Sequence, residues 1–124
     1  MKRIAYYLGT SQESQAYPVV DLFETADELV FEIELPGIDA GCVNLQVIEH
    51  YLVVECRPHS PKTHEGIAGR YLCMERQFRS FRRILSIPIA VNIIEGTAHA
   101  RNGVITVRFP KLKGKIITIP IEYQ

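Results

Sequence analysis

The alternation of apolar and polar residues along the chain predicts β-strands. Residues 28–35 read ELVFEIEL, in which every odd-numbered position is apolar: Leu29, Phe31, Ile33 and Leu35. Glu32 and Glu34 lie between them, so the segment has one face for a core and one for water. Pro36-Gly37 then ends it. This pattern is typical of a half-buried strand.

Three further segments have the same character. Alternation marks CVNLQVIE (42–49) and GVITVRF (103–109), and YLVVECR (51–57) is a β-branched run. In the first of these, the apolar positions share one face: Val43, Leu45 and Val47. Residues 57–70 contain two prolines and two glycines, which predicts a long loop.

The stretch 71–88 predicts one or two extended segments. Its apolar positions change parity along the way: Leu72, Met74 and Phe78 are even, whereas Phe81, Leu85 and Ile87 are odd. A change of parity within one strand moves side chains to the other face, so it implies a bulge or bend near Arg79-Ser80.

Frequent strands and short turns in a chain of 124 residues predict one all-β domain. We expect an immunoglobulin-like antiparallel β-sandwich over residues 18–110. Residues 1–17 form an N-terminal arm, and residues 111–124 form a linker and an apolar tail.

Charge is balanced overall but not along the chain. Residues 1–65 carry four basic and eleven acidic side chains, a net charge of −7, and residues 66–124 carry ten and three, a net charge of +7. Neighbouring strands that neutralise each other would explain this, and so would complementary faces that help copies associate. A net charge of zero gives no general reason to expect nucleic-acid binding.

The cysteines and the N-terminus predict a cytoplasmic protein with free thiols. Cys42, Cys56 and Cys73 are odd in number, and residues 1–14 contain no apolar run of the length that a signal peptide needs. The most apolar later segment, residues 84–94, is too short to span a membrane. We expect no membrane partner.

Motifs for catalysis are missing from the sequence, which has no GxSxG, no glycine-rich phosphate loop and no HExxH. We predict no catalytic residues, no cofactor and no metal. The one alternative is a metal site made by Cys56, His59 and His64, with Cys73 beyond. Its spacing matches no specific zinc pattern, and Cys56 has the parity of a buried core residue.

Basic residues are densest at Arg76, Arg79, Arg82 and Arg83, with phenylalanines between them. Single-stranded nucleic acid is bound by such combinations. In a strand, however, these arginines divide between two faces, which favours ion pairing with the acidic first half of the chain or of a partner.

Four segments together resemble the small heat-shock proteins, which are built around the α-crystallin domain. Residues 19–38 look like the family's opening strands and its Leu-Pro-Gly turn, and residues 75–88 are similar to its Glu-Arg, Phe-x-Arg and Leu-Pro segment. Residues 98–105 match its Ala-x-x-x-x-Gly-Val-Leu signature, with Ile105 in place of the leucine. Ile119-Pro120-Ile121 fits its C-terminal Ile-x-Ile motif, so the resemblance covers residues 18–121.

Two local departures from the family pattern concern the backbone. Arg79 stands where many members have glycine. The turn at residues 49–51 lacks the usual glycine or asparagine, so a tight hairpin would need a non-glycine residue at positive φ, and His50 tolerates this best.

The resemblance implies an ATP-independent holdase that binds unfolding proteins and assembles through dimers into oligomers. Its tail residues, Ile117, Ile119, Pro120 and Ile121, would dock on a neighbouring subunit in a groove lined by Leu45, Val47 and Ala98. Folding back of the tail on its own subunit is the alternative. The loop at residues 57–73 would carry a short strand exchanged in the dimer.

The resemblance also assigns the remaining contacts. The dimer contacts would be Tyr71, Leu72, Cys73 and Arg83. The N-terminal arm would bind clients through Ile4, Tyr6, Tyr7 and Leu8. A different possibility is a p23-like co-chaperone, which would bind one specific protein partner and need neither tail nor oligomer.

Overall fold

The computed structural model describes residues 16–57, 64, 66–76, 79–113 and 118–123. The strands within these residues are β1 (Val19–Glu24), β2 (Glu28–Glu34), β3 (Val43–Ile48), β4 (Tyr51–Cys56), β5 (Phe81–Ser86), β6 (Thr97–Arg101) and β7 (Val104–Pro110). A 3-10 turn, Ala40–Cys42, leads into β3.

The strands form two antiparallel sheets, with strand orders β1-β2-β7-β6 and β3-β4-β5. Side chains from both sheets meet in one core, which confirms the predicted all-β sandwich. The four alternating residues of the 28–35 segment are all buried there. Phe31 of β2 packs edge-on against Phe109 of β7, with 6.2 Å between ring centroids.

The β6–β7 hairpin turns at Asn102-Gly103, where both residues have positive φ. Glycine is needed at the second position for a further reason: a Cβ on Gly103 would lie 3.2 Å from the Cα of Pro36. The signature segment thus brings the β6–β7 turn against the Leu-Pro-Gly turn that follows β2.

The β3–β4 turn differs from the prediction. Glu49, and not His50, has the positive φ, at 55°. His50 keeps an ordinary backbone conformation, and its carbonyl accepts a hydrogen bond of 2.7 Å from the amide of Ile87.

The stretch 71–88 also differs. Strand pairing begins only at Phe81, and the described residues before it, 66–76 and 79–80, contain no strand. From Phe81 onward the odd-numbered side chains point inward, whereas Leu72 and Met74 are exposed. The parity change therefore marks the start of a strand and is not a bulge within one. Phe78 lies outside the described residues.

Candidate functional site

The candidate site lies on the side of the sandwich that has β3 and β6 as its edge strands, and β1 and β5 are the edge strands of the opposite side. The opposite side is closed, because residues just before β1 pack against β5. Tyr17 and Phe81 meet edge-on at 5.3 Å, and the Arg83 guanidinium donates a hydrogen bond to the Pro18 carbonyl. The other two edge strands are β3 and β6, and Val43 of β3 lines a common cavity with Ala100 and Arg101 of β6, so these two edges lie together on the open side.

The inner face of β3 is apolar and only half-buried. Val43, Leu45 and Val47 pack against the core but keep part of their surface exposed. Leu52 and Val54, on the adjacent and central strand β4, are fully buried. The difference arises because no strand of the described chain covers the outer edge of β3.

The side chains on the inner face of β6 are small and leave this edge of the sandwich uncovered as well. Ala98 and Ala100 lie opposite Val107 and Ile105 of β7, so they share the inner face with these buried residues. Both alanines are nevertheless exposed. The predicted groove residues Leu45, Val47 and Ala98 are thus brought to one side of the sandwich, on strands that border an open apolar cleft. We call this cleft the β3–β6 groove.

A cavity of about 180 Å³ lies at one end of the β3–β6 groove, and we call it the end cavity. It connects the start of β3 to the end of β6, and its lining comprises Leu35, Ile38, Ala40, Val43 and residues 100–105. The resemblance did not point to Ile38 or Asn102. The only signal for them in the sequence is their position beside the two turns that meet there.

The described residues of the tail, 118–123, are all exposed. Ile119 and Ile121 are 81% and 77% exposed, and Tyr123 is 93% exposed. No contact of the described tail residues supports the alternative in which the tail folds back. Ile117 and the arm residues Ile4, Tyr6, Tyr7 and Leu8 lie outside the described residues.

The residues predicted for the dimer contact divide into two environments. Tyr71 and Leu72 are exposed, as is Cys73, whose thiol is free and lies 3.5 Å from the Glu75 carboxylate. Arg83 is instead buried within the subunit. Burial lowers the pKa of its guanidinium from the ordinary value, because the charged form loses water.

The expectation of free thiols is wrong for two of the three cysteines, because Cys42 and Cys56 form a disulfide. The reason lies in the register of the β3–β4 hairpin. Val43 pairs with Cys56, so Cys42, the residue before Val43, lies diagonally opposite Cys56. The Cα atoms of Cys42 and Cys56 are 5.6 Å apart, a distance that a disulfide can span.

The disulfide also weakens the metal alternative, because a bonded Cys56 offers no thiolate to a metal. His59 lies outside the described residues. Among the residues that are described, no group of three or more His, Cys, Asp or Glu side chains is placed to hold a metal ion.

Ion pairs within the subunit join the acidic first half to the basic second half. Glu55 pairs with Arg82 at 3.5 Å, Glu28 with Arg108 at 3.2 Å and Glu24 with Lys111 at 2.6 Å. This supports the interpretation that neighbouring strands neutralise each other. It also supports ion pairing over nucleic-acid binding for Arg82. In the described part of the chain, no helix is long and apolar enough to cross a membrane.

Comparison with known proteins places this sandwich in a defined class. Residues 21–122 match the model of the Hsp20/alpha crystallin family. The chain is 28% identical to small heat shock protein C2 of Rickettsia felis over 115 residues, which are 92% of the chain and 73% of that protein. It is 31% identical to a 17.7 kDa class II heat shock protein of Arabidopsis thaliana over 108 residues, covering 86% and 67% of the two chains.

Solved structures agree with this comparison. Heat shock protein 16.0 of Schizosaccharomyces pombe has a TM-score of 0.70 at 25% identity, covering 90% of this chain and 85% of that one. A small heat-shock protein of Xylella fastidiosa has a TM-score of 0.64 at 25% identity, covering 90% and 97%. The chain belongs to the Hsp20/alpha crystallin family. Membership implies a chaperone function, and members are in general not enzymes.

Proposed function

We propose that this protein is an ATP-independent holdase, which binds the exposed apolar surface of unfolding proteins and prevents their aggregation. One observation carries the proposal: the same chain presents an exposed apolar tail and an open apolar groove. Each is an aggregation liability when free. Docking of the tail of one subunit into the groove of another covers both.

The docking of one tail in one groove is weak, whereas the docking of many tails within one oligomer is strong. Full burial of Ile119 or Ile121 is worth roughly 1.5–3 kcal/mol each. Association costs at least about 4 kcal/mol, so one tail in one groove is reversible. Several tails in an oligomer act together through effective concentration. The assembly can therefore store apolar surface and release it, as a holdase requires.

The dimer is the proposed unit of assembly, with the loop at residues 57–73 exchanged between partners. The exposure of Tyr71, Leu72 and Met74 supports this, because these apolar side chains lie on a segment without strand partners in the described chain. Arg83 contributes indirectly through its bond to Pro18, and any contact that it makes across the dimer remains a prediction.

Clients are proposed to bind first to the N-terminal arm, through Ile4, Tyr6, Tyr7 and Leu8. The cytoplasm, the location expected from the sequence, is the proposed one; the Cys42–Cys56 disulfide counts against it, because such bonds are rare in a reducing compartment. A p23-like adaptor is less well supported, because such a protein would have no use for the exposed isoleucines at 119 and 121.

The test is light scattering of an aggregating client without ATP, combined with measurement of particle mass. The intact chain is compared with a chain truncated after Thr118 and with the control Lys113→Gln, which changes an exposed residue outside the tail motif and keeps all the isoleucines. We expect the intact chain and the control to suppress aggregation and form oligomers, and the truncated chain to form smaller particles. A monomeric intact chain that suppresses nothing would overturn the proposal.

A further inference from the structure

Tyr123 continues the apolar face of the tail. In an extended segment, alternate residues share one face, so Ile119, Ile121 and Tyr123 point the same way. The structure leaves Tyr123 93% exposed, more than either isoleucine. A large aromatic side chain held in water at this position has the same need for cover as its two neighbours.

The groove repeats with the same period as the tail. Val43, Leu45 and Val47 form a row of three half-exposed apolar side chains, each two residues from the next along β3. Three tail positions therefore match three groove positions, since both segments are extended and rise about 3.3 Å per residue. Ile119 and Ile121, the two isoleucines among the described tail residues, account for two of these positions; the third falls to Tyr123 or to Ile117, according to the direction in which the tail runs.

The end cavity provides a site for an aromatic ring. Its volume is about 180 Å³, and an apolar cavity of roughly 150 Å³ is enough to hold benzene. Ile38 and Val43 contribute apolar side chains to its lining, and Asn102 contributes a polar amide. A buried tyrosine hydroxyl needs a hydrogen-bond partner, and this lining offers one.

Two exposed charges favour one direction for a docked tail. Arg101 borders the end cavity, and it has no carboxylate within ion-pair distance among the described residues. Glu122 is likewise exposed and unpaired within them. Because Glu122 adjoins Tyr123 on the opposite face of the tail, its carboxylate would lie at the rim when the tyrosine enters the cavity. Opposite charges at matching places favour this orientation.

We propose that Tyr123 is a third docking residue, which fills the end cavity of a second copy of this chain while Glu122 pairs with that copy's Arg101. The tail then runs antiparallel to β3, with Ile119 beside Val47 and Ile121 beside Leu45. This inference rests on the proposed tail docking, and it adds a direction and a specificity that two isoleucines alone do not provide.

Variants of the full-length chain test the contribution of Tyr123 separately from the docking of the tail through its isoleucines. The readout is the protein concentration at which oligomers dissociate, followed by light scattering. Tyr123→Ala should raise this concentration roughly tenfold, the effect of losing one buried aromatic contact. The paired variant Ile119→Ser/Ile121→Ser should raise it further. If the isoleucine variant has no effect, the proposed tail docking fails; if only Tyr123→Ala has none, the present inference alone fails.

A charge exchange tests the direction of the tail. Glu122→Lys and Arg101→Glu should each weaken assembly, and the two changes combined should restore it. Failure of the combination to restore assembly overturns the assigned pairing. A photoreactive phenylalanine in place of Tyr123 gives a second measurement: crosslinks should fall within residues 38–43 or 100–105 of another subunit, and crosslinks near Val47 would contradict the proposed direction.

Discussion

The Cys42–Cys56 disulfide joins the two ends of the β3–β4 hairpin, and its removal has a calculable effect on stability. The bonded residues are 14 positions apart, so the bond closes a loop of about 15 residues in the unfolded chain. In the chain-entropy account, such a closure is worth about 3 kcal/mol at 25 °C. Reduction should lower the free energy of unfolding by about this amount.

Urea unfolding is a suitable assay for this effect. The chain has no tryptophan and six tyrosines, so far-ultraviolet circular dichroism or tyrosine fluorescence serves as the probe. The oxidised protein, the reduced protein and the Cys42→Ser/Cys56→Ser variant are compared at one protein concentration, because oligomerisation makes stability concentration-dependent. The reduced protein and the variant should have similar, lower midpoints.

Cys73→Ser provides the matched control, because the Cys73 thiol is free and exposed. Its free energy of unfolding should stay within about 0.5 kcal/mol of the oxidised wild type. Equal midpoints for oxidised and reduced protein, or peptide mapping that finds Cys56 unlinked to Cys42 after oxidation, would refute the reasoning.

Three other variants test the packing that holds the groove in place, each by the same unfolding assay. Leu85→Ala should lower the free energy of unfolding by about 2–5 kcal/mol, because Leu85 is fully buried. Ile84→Ala, at the half-exposed neighbour, should lower it clearly less. Gly96→Ala should destabilise by roughly 1–3 kcal/mol, because its Cβ would lie 2.7 Å from the Phe109 ring. Arg83→Ala should lower the free energy of unfolding by about 1–3 kcal/mol, because it leaves the Pro18 carbonyl without its hydrogen-bond donor. An unchanged free energy of unfolding in any of these three variants would contradict the packing described.

Strands with one face in water were predictable from the sequence. The 28–35 segment has charged side chains between its apolar ones, so its period is visible without knowledge of its neighbours. Val30 and Val53 were less predictable, because they are buried although they lie on the outer faces of the two sheets. Neighbouring strands decide this burial: Val30, for example, pairs with the large side chain of Phe23.

The position of the β3–β4 turn determines which two cysteines can form the disulfide. A two-residue turn at Glu49-His50 sets the pairing of Val43 with Cys56, and that pairing brings Cys42 within bonding distance. The odd cysteine count favoured three free thiols and led to the wrong inference. The proposed role of Tyr123 lies beyond the family resemblance, because the Ile-x-Ile motif ends at residue 121 whereas the alternation of the tail continues to 123.

The 66–80 region is one whose secondary structure could not be predicted from the local sequence. Tyr71, Leu72 and Met74 have the apolar side chains of a strand but no neighbour to pair with in the described part of the subunit. Strand formation depends on such neighbours. Local sequence alone therefore could not say whether this region would be a strand or a loop.

A mixing experiment tests most directly whether the tail of one subunit docks into the groove of another. The chain truncated after Thr118 keeps its groove, and Ala98→Phe blocks the groove with a large side chain while keeping the tail. Each variant alone should form only small particles. Mixed in equal amounts, they should form larger particles that contain both chains, because intact tails meet intact grooves. A mixture that stays as small as its components would contradict docking between subunits.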